Sequence, residues 1–276
     1  MHLNKKKLNS IAKQIRLIIF ETIINAGKGH IGGAFSCSDI LTALYFGKIL
    51  KINPKKPNDP DRDIFIFSKG HASIALYATL GLAGFFDLKE LKKFNKGGGK
   101  IAEHPDKRIP GIEIVSGSLG HGLSIGAGMS LANKIDEKKG FHFVLLGDGE
   151  CYEGSVWEAA MFASHYRLDN LVAIIDRNNL TVLNETEKII KLEPFSKKWV
   201  SFGWNVIEID GHDISKICST ISKIKKNNNK NNKPTVLIAN TIKGKGVSFM
   251  ENQIKWHHGV PTKKDFEIAK KELTND

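Results

Sequence analysis

The chain has 276 residues, 41% of them hydrophobic, with 41 Lys and Arg against 29 Asp and Glu and a net charge of +12. That length and apolar content point to a globular protein with a sizeable core, in one large or two small domains. The three cysteines, Cys37, Cys151 and Cys218, are far apart and form no CxxC pair, which excludes a disulfide frame and a thiolate metal site and leaves buried apolar residues.

In chain order, residues 8 to 24 place Leu8, Ile11, Ala12, Ile15, Ile18, Ile19, Thr22 and Ile23 at helical spacing, so this stretch is an amphipathic helix packed on a core. It is too polar for the apolar segment of a signal peptide, and no run along the chain is long enough to cross a bilayer, so a cytoplasmic location is expected. GKGHIGG at 27–33 spells the dinucleotide fingerprint GxGxxG. A helix precedes it where that fingerprint requires a strand, so the match is a decoy.

Short β-rich apolar runs follow at 63–67, 142–146, 171–175, 205–209 and 235–239, with helical stretches at 73–82, 119–135, 154–166 and 214–224. Strand and helix alternate, and the strands read as buried on both faces. The fold class is therefore α/β, a parallel sheet with helices on both faces. The densest basic run, KIKKNNNKNNK at 223–233, interleaves asparagine instead of aromatic residues that would stack on bases. It reads as a solvated loop, and neither a nucleic acid nor a membrane is expected as partner. From about residue 240 the chain turns glycine-rich and polar, unlike core. The reading is one domain over 1–276 with a C-terminal arm from about 240.

The chemistry gathers at LLGDGECYEG, 145–154. Ligands of an open parallel sheet bind beyond the carboxyl ends of its strands, where Asp148 sits between Gly147 and Gly149. The next strand runs parallel and ends in Arg177, Asn178 and Asn179, and the right-handed crossover puts both ends on one edge. Asp148 and Asn178 then converge, and with a backbone carbonyl they form a weakly charged set of oxygens. Such a set suits magnesium, which keeps few protein ligands and fills its octahedron with water and phosphate oxygens. A phosphorylated ligand follows, and no P-loop is present to make it a nucleoside triphosphate.

GDGECYEG followed by IIDRNN resembles the thiamin diphosphate motif of thiamin-dependent enzymes. GKGHIGG, FSKGHASIALYATLGLAG at 67–84, EHPD at 103–106, SGSLGHGLSIGAGM at 116–129 and WHHG at 256–259 resemble, in order, landmarks of transketolases. The resemblance spans nearly the whole chain and is that of the N-terminal, diphosphate-binding subunit of a split transketolase.

The resemblance implies a thiamin diphosphate-binding fold, with thiamin diphosphate and Mg2+ or another divalent cation as cofactors. Asp148, Asn178 and the carbonyl of Leu180 would hold the metal. Gly149 would meet the diphosphate, Gly117 and Leu119 would lie against the cofactor, and Glu153 and Glu158 would link active sites near the subunit interface. Catalytic roles fall to His30, His71, His104 and His258. His30 and His258 would handle the proton on the donor hydroxyl beside the bond that breaks, His104 would bind the hydroxyl of the two-carbon unit, and His71 would line the channel. Histidine suits proton exchange because its ordinary pKa is about 6.5.

Activation of the cofactor depends in this family on a glutamate of the pyrimidine-binding domain. The resemblance therefore implies three things: a partner chain that is the C-terminal transketolase subunit, a heterotetramer of two of each chain, and sugar phosphates as substrates. Ile31, Glu150, His121 and Asp106 stand where many transketolases carry proline, cysteine, glutamine and glutamate, which leaves the donor and acceptor sugars open. Two readings compete. One is another thiamin enzyme, such as a deoxyxylulose phosphate synthase or a 2-oxo acid dehydrogenase, against which the four histidines speak. The other is a non-catalytic binding subunit, which would have lost Asp148, Asn178 or those histidines.

Overall fold

A computed structural model describes residues 4–97, 99–227 and 231–274. Its centre is a five-stranded, wholly parallel sheet of β1 (Ile64–Phe67), β2 (His142–Gly147), β3 (Leu171–Arg177), β4 (Asn205–Asp210) and β5 (Thr235–Asn240), in the order β1-β2-β3-β5-β4. All five predicted strands are present. Successive side chains point to opposite faces, so the continuous apolar runs feed two cores at once. Phe143, Leu145, Val172, Ile174 and Leu237 enter one, and Val144, Leu146, Ala173, Ile175 and Val236 the other.

The first core is closed by α1 (Lys5–Ala26), α2 (Ile31–Ser36), α3 (Ser38–Phe46) and α4 (Ser73–Leu82). α1 is the predicted amphipathic helix. The Asn4 side chain caps its start by accepting from the Lys7 N–H, and Gly27, at φ 70°, ends it. Ile15, Ile19 and Ile23 are fully buried, and truncating any one to Ala costs about 2–5 kcal/mol. The second core lies under α5 (His121–Ile135), α6 (Gly154–His165) and α8 (Phe195–Ser201), beyond the single turn α7 (Thr186–Ile189). α9 (Ile214–Asn227) packs on α3. Cys37, Cys151 and Cys218 are all buried and unpaired.

Three expectations need correction. The reading of strands buried on both faces fails for β4, an edge strand that is partly exposed along most of its length. The helix expected from Leu119 begins at His121, because Gly120 adopts φ 85° and a Cβ there would meet Glu153 Cβ at 2.6 Å. The C-terminal arm is not unlike core. Val247 and Met250 are fully buried in the first core, and α10 (Lys263–Thr274) lies along α1 with Ala269 and Leu273 buried. Single apolar residues inside a polar, glycine-rich text carry no periodic signal. Of the basic run 223–233, residues 228–230 lie outside the described residues. Among the described residues no helix is long and apolar enough to cross a membrane.

Candidate active site

The site grows from the carboxyl ends of β2 and β3. Gly147 and Asp176 are register partners, so the turns that follow them are neighbours. Asp148, 2% exposed, accepts the Gly149 N–H at 2.8 Å on Oδ1 and the Asn179 N–H at 2.6 Å on Oδ2. The predicted convergence of the two strand ends is thus direct. Asn179 sits at φ 62°, a left-handed conformation that asparagine tolerates. Burial pushes the Asp148 carboxyl up to about 6, against the pull of Arg177 with Nη1 at 3.6 Å. Asn178 accepts the Leu180 N–H at 3.1 Å on Oδ1, and the Leu180 carbonyl accepts from Lys243 Nζ at 3.1 Å. Carboxylate, amide and carbonyl oxygens each have spare lone pairs. With an ammonium already seated on the Leu180 and Thr181 carbonyls and a buried carboxylate beside them whose one ion pair does not offset its burial, the donor set fits a hard divalent cation.

Two buried networks hold this edge in place. Asp176 accepts from Lys69 Nζ, Ser36 Oγ and Thr241 Oγ1, and Lys69 also donates to the Gly33 carbonyl at 2.9 Å. Burial disfavours both charges of the Lys69–Asp176 pair. Each partner reverses that for the other, so the Asp176 carboxyl lies below its ordinary value and the Lys69 ammonium above it. The carboxylate of Glu150, 2% exposed, accepts from Ser68 Oγ and from the Gly120 and Gly147 N–H groups. It thereby ties together the end of β1, the start of α5 and the end of β2.

Between these networks lies a cavity of about 310 Å³, lined among others by Asp148, Gly149, Asn178 and Leu180, by Leu119 and Glu153, and by Lys69, His71, Lys243 and His257. Its lysines give it positive charge at the Asp148 end. Burial, with Lys69 close by, lowers Lys243 to about 8; an anion bound there would raise it again. Burial also drives His71 well below its usual range and His257 to about 3, so both rings are neutral at physiological pH. They stack at 5.4 Å, and His257 Nδ1 lies 2.7 Å from Lys243 Nζ.

His30 packs behind the cavity wall, with ring centroids 5.4 Å from His71, 5.5 Å from His257 and 4.6 Å from His258. Gly117 lies against the His104 ring, where a Cβ would come within 3.0 Å. Tyr77 donates to the His104 carbonyl at 2.8 Å and Ser73 to the Glu103 carbonyl at 2.6 Å, so α4 carries that segment.

Of the residues expected from sequence, Asp148, Asn178, Leu180, Gly149, Leu119, Glu153 and His71 share the cavity wall, and His30 is packed on His71. His258 packs on His30 at a ring-centroid distance of 4.6 Å. His257 lines the cavity, whereas the His258 side chain is 51% exposed at the rim. In WHHG the spacing alone did not say which histidine turns inward. Glu158 is exposed on α6 and is not among the residues that line the cavity. Lys69, Lys243, Asp176 and Glu103 were not singled out. Lys69 and Lys243 each precede a glycine at the end of a strand segment, in KGH and KGK, the one signal by which they were findable.

The family described as transketolase, thiamine diphosphate binding domain, matches residues 7–275. The chain belongs to this family. It is 45% identical over 99% of its length to an apulose-4-phosphate transketolase subunit of Phocaeicola vulgatus, covering 95% of that protein. It is 41% identical to a 6-deoxy-6-sulfo-D-fructose transketolase subunit of a Clostridium species, covering 95% of that one. Against human transketolase it is 36% identical over 94% of its own length and spans 40% of the relative. The crystal structure of Campylobacter jejuni transketolase superposes with a TM-score of 0.92 at 31% identity, over 99% of this chain and 44% of the other. The chain thus has the fold of the thiamine diphosphate-binding part of transketolases and spans less than half of those solved chains.

Proposed function

We propose that this chain is the diphosphate-binding subunit of a two-chain transketolase, moving a two-carbon ketol unit from a ketose phosphate to an aldose phosphate. The observation that carries the reading is one cavity, at the carboxyl edge of the sheet, that joins an oxygen cluster around Asp148 to two neutral histidines, His71 and His257. In it, Asp148, Asn178 and the Leu180 carbonyl hold Mg2+ or another divalent cation, and the Gly149 N–H and Lys243 hold the diphosphate. Gly117 and Leu119 pack against the cofactor. When bound, the cofactor supplies the electron sink that ketol transfer requires.

The chain's own residues orient and exchange protons. His71 and His257, neutral and stacked, shape the channel; His30, with His258 at the rim, exchanges the proton of the donor hydroxyl; and His104, held by α4, binds a hydroxyl of the transferred unit. Burial holds the His30 ring below its usual range, which leaves it free to accept a proton first.

The two bacterial relatives matched over nearly their whole length are each named as one subunit of a transketolase, which supports a partner chain, and so does the surface. Val182 and Leu183 on the cavity wall are 55% and 76% exposed, an apolar rim suited to contact with a second chain. On this reading the partner brings the pyrimidine-binding domain, Glu153 and Glu158 face the subunit interface of a heterotetramer, and the assembly is cytoplasmic. Those two relatives are named for different sugars, so sugar phosphates as a class are the substrates proposed. The test is an assay of the purified chain with and without the partner, with thiamin diphosphate and Mg2+, on a panel of ketose phosphates and on pyruvate. Ketol transfer that needs both chains is expected; full transfer by this chain alone, or turnover of pyruvate only, refutes the reading.

A further inference from the structure

His30 and His258 come from opposite ends of the chain and meet one carboxylate. Oε1 of Glu103 lies 3.0 Å from Nδ1 of His30 and 3.7 Å from Nε2 of His258. The backbone on each side is pinned. Ser73 holds the Glu103 carbonyl, Tyr77 holds the next one, and His30 precedes α2, where a Cβ on Gly32 would strike the Trp256 carbonyl at 2.7 Å. The Nδ1 of His30 and the Oε1 of Glu103 are both buried, their approach lies off the line of the ring N–H, and neither atom has another hydrogen-bond partner. Rotation of the His30 ring about its Cβ–Cγ bond aligns the two without breaking any bond of theirs. Catalytic hydrogen bonds commonly tighten in this way only when substrate is bound.

We propose that Glu103 is a positioning residue for ketol transfer, holding the Nδ1 proton of His30 so that Nε2 is the nitrogen that accepts the substrate's hydroxyl proton. This rests on the transferase reading above. A neutral imidazole has one donor and one acceptor nitrogen, and the partner of one decides the role of the other. In the step assigned, the hydroxyl O–H breaks and its proton joins Nε2. The ring becomes an imidazolium, its Nδ1–H stays on Glu103, and the carboxylate offsets the new charge until the proton returns to a product oxygen. His258, at the rim, is a second neighbour of the same carboxylate.

The same three groups place two nitrogens and an oxygen within 4.8 Å of one another, so a divalent cation is the competing occupant. The half-exposed His258 makes one side of such a site weak, and the buried 3.0 Å contact favours the proton.

Two measurements decide. Nitrogen-15 NMR of histidine in the folded full chain is expected to show His30 as the Nδ1–H tautomer, and E103Q is expected to turn it toward Nε2–H. A wild-type His30 in the Nε2–H form overturns the proposal whatever the enzyme does. In the EDTA-treated assembly, reloaded with Mg2+ and thiamin diphosphate, E103Q is expected to lower kcat/KM roughly 100-fold through kcat, within the range of about 10²–10⁴-fold that a positioned general base contributes. Cofactor affinity should stay unchanged, and E103D should recover part of the rate. Removing the carboxylate leaves His30 facing only His71, His104, His257 and His258, so the acid limb of kcat/KM should move to lower pH. An E103Q enzyme with wild-type rate and pH profile overturns the proposal, as does one that loses cofactor binding in step with activity. Micromolar Zn2+ binding that stops turnover in wild type and vanishes in E103Q assigns the cluster to a cation and also overturns it. A wild-type assembly with no ketol transfer, by contrast, refutes the functional reading, and the NMR result then separates the two.

Discussion

The two ends of the cavity are built differently. At the Asp148 end the groups are supplied by neighbouring strands, are buried to within a few per cent and are held by backbone hydrogen bonds. At the histidine end, His30, His71, His104 and His257 come from four separate segments, and His258 stands half in solvent. A sheet edge fixes geometry through its ladder, whereas loops fix it only through the side chains that tie them down. The first end is closed and rigid. The second is more open.

If that contrast holds, disturbing the sheet end should cost fold and binding, and disturbing the histidine end should cost turnover. The largest expected effect is Lys69→Met, which strands the Asp176 charge in the core; unfolding by denaturant should show a loss of about 3–5 kcal/mol. Next is Asp148→Asn, expected to weaken Mg2+-dependent thiamin diphosphate binding by roughly 100-fold or more in calorimetry, since metal sites lose 10–100-fold even for partners of their ligands.

The pH dependence of the same residue sharpens the point. The Asp148 carboxyl is raised in the fold to about 6, so without metal its protonated form favours folding at low pH. That contribution fades as pH rises from about 4 to about 6, and it is worth roughly 2–3 kcal/mol at most. Asp148→Asn should therefore match or exceed the wild-type melting temperature at pH 7.5 without metal. Added Mg2+ and cofactor should stabilise the wild type more at pH 7.5 than at pH 5. A metal-free variant that melts well below wild type at pH 7.5 would show that Asp148 is structural.

At the other end, His258→Ala, which removes a proton-exchanging ring, should lower kcat roughly 10–100-fold with stability nearly unchanged, as expected when an interaction made in the transition state is removed, and His257→Ala, which removes only a wall of the channel, should lower it less than about 5-fold. Equal losses would break the distinction between wall and rim. The smallest effect is Glu158→Gln, for which cofactor binding by this chain should stay within about twofold while self-association, measured by sedimentation, weakens, because an exposed side chain contributes little to its own fold.

The difference between the ends also explains what could be read in advance. The strands, α1 and the placing of Asp148 and Asn178 on one cavity wall were legible because they follow from local periodicity and a chirality rule that hold for any sequence of this pattern. The choice between His257 and His258, the pairing of Lys69 with Asp176, the reach of Glu103 to His30 and the return of Val247 and Met250 to the core were not. Each joins positions far apart in the chain, and no spacing records it.

By its alternation of apolar strands and helices, then, the sequence determined a parallel sheet with one chemically loaded edge, because the apolar periodicity that selects strand or helix is written over a few residues at a time. Tertiary structure alone decided which histidine faces inward, which lysines carry charge into the cavity and which carboxylate stands behind His30. Those choices depend on burial and on charge partners brought together by the fold, and the energies that settle them exist only once water has been excluded.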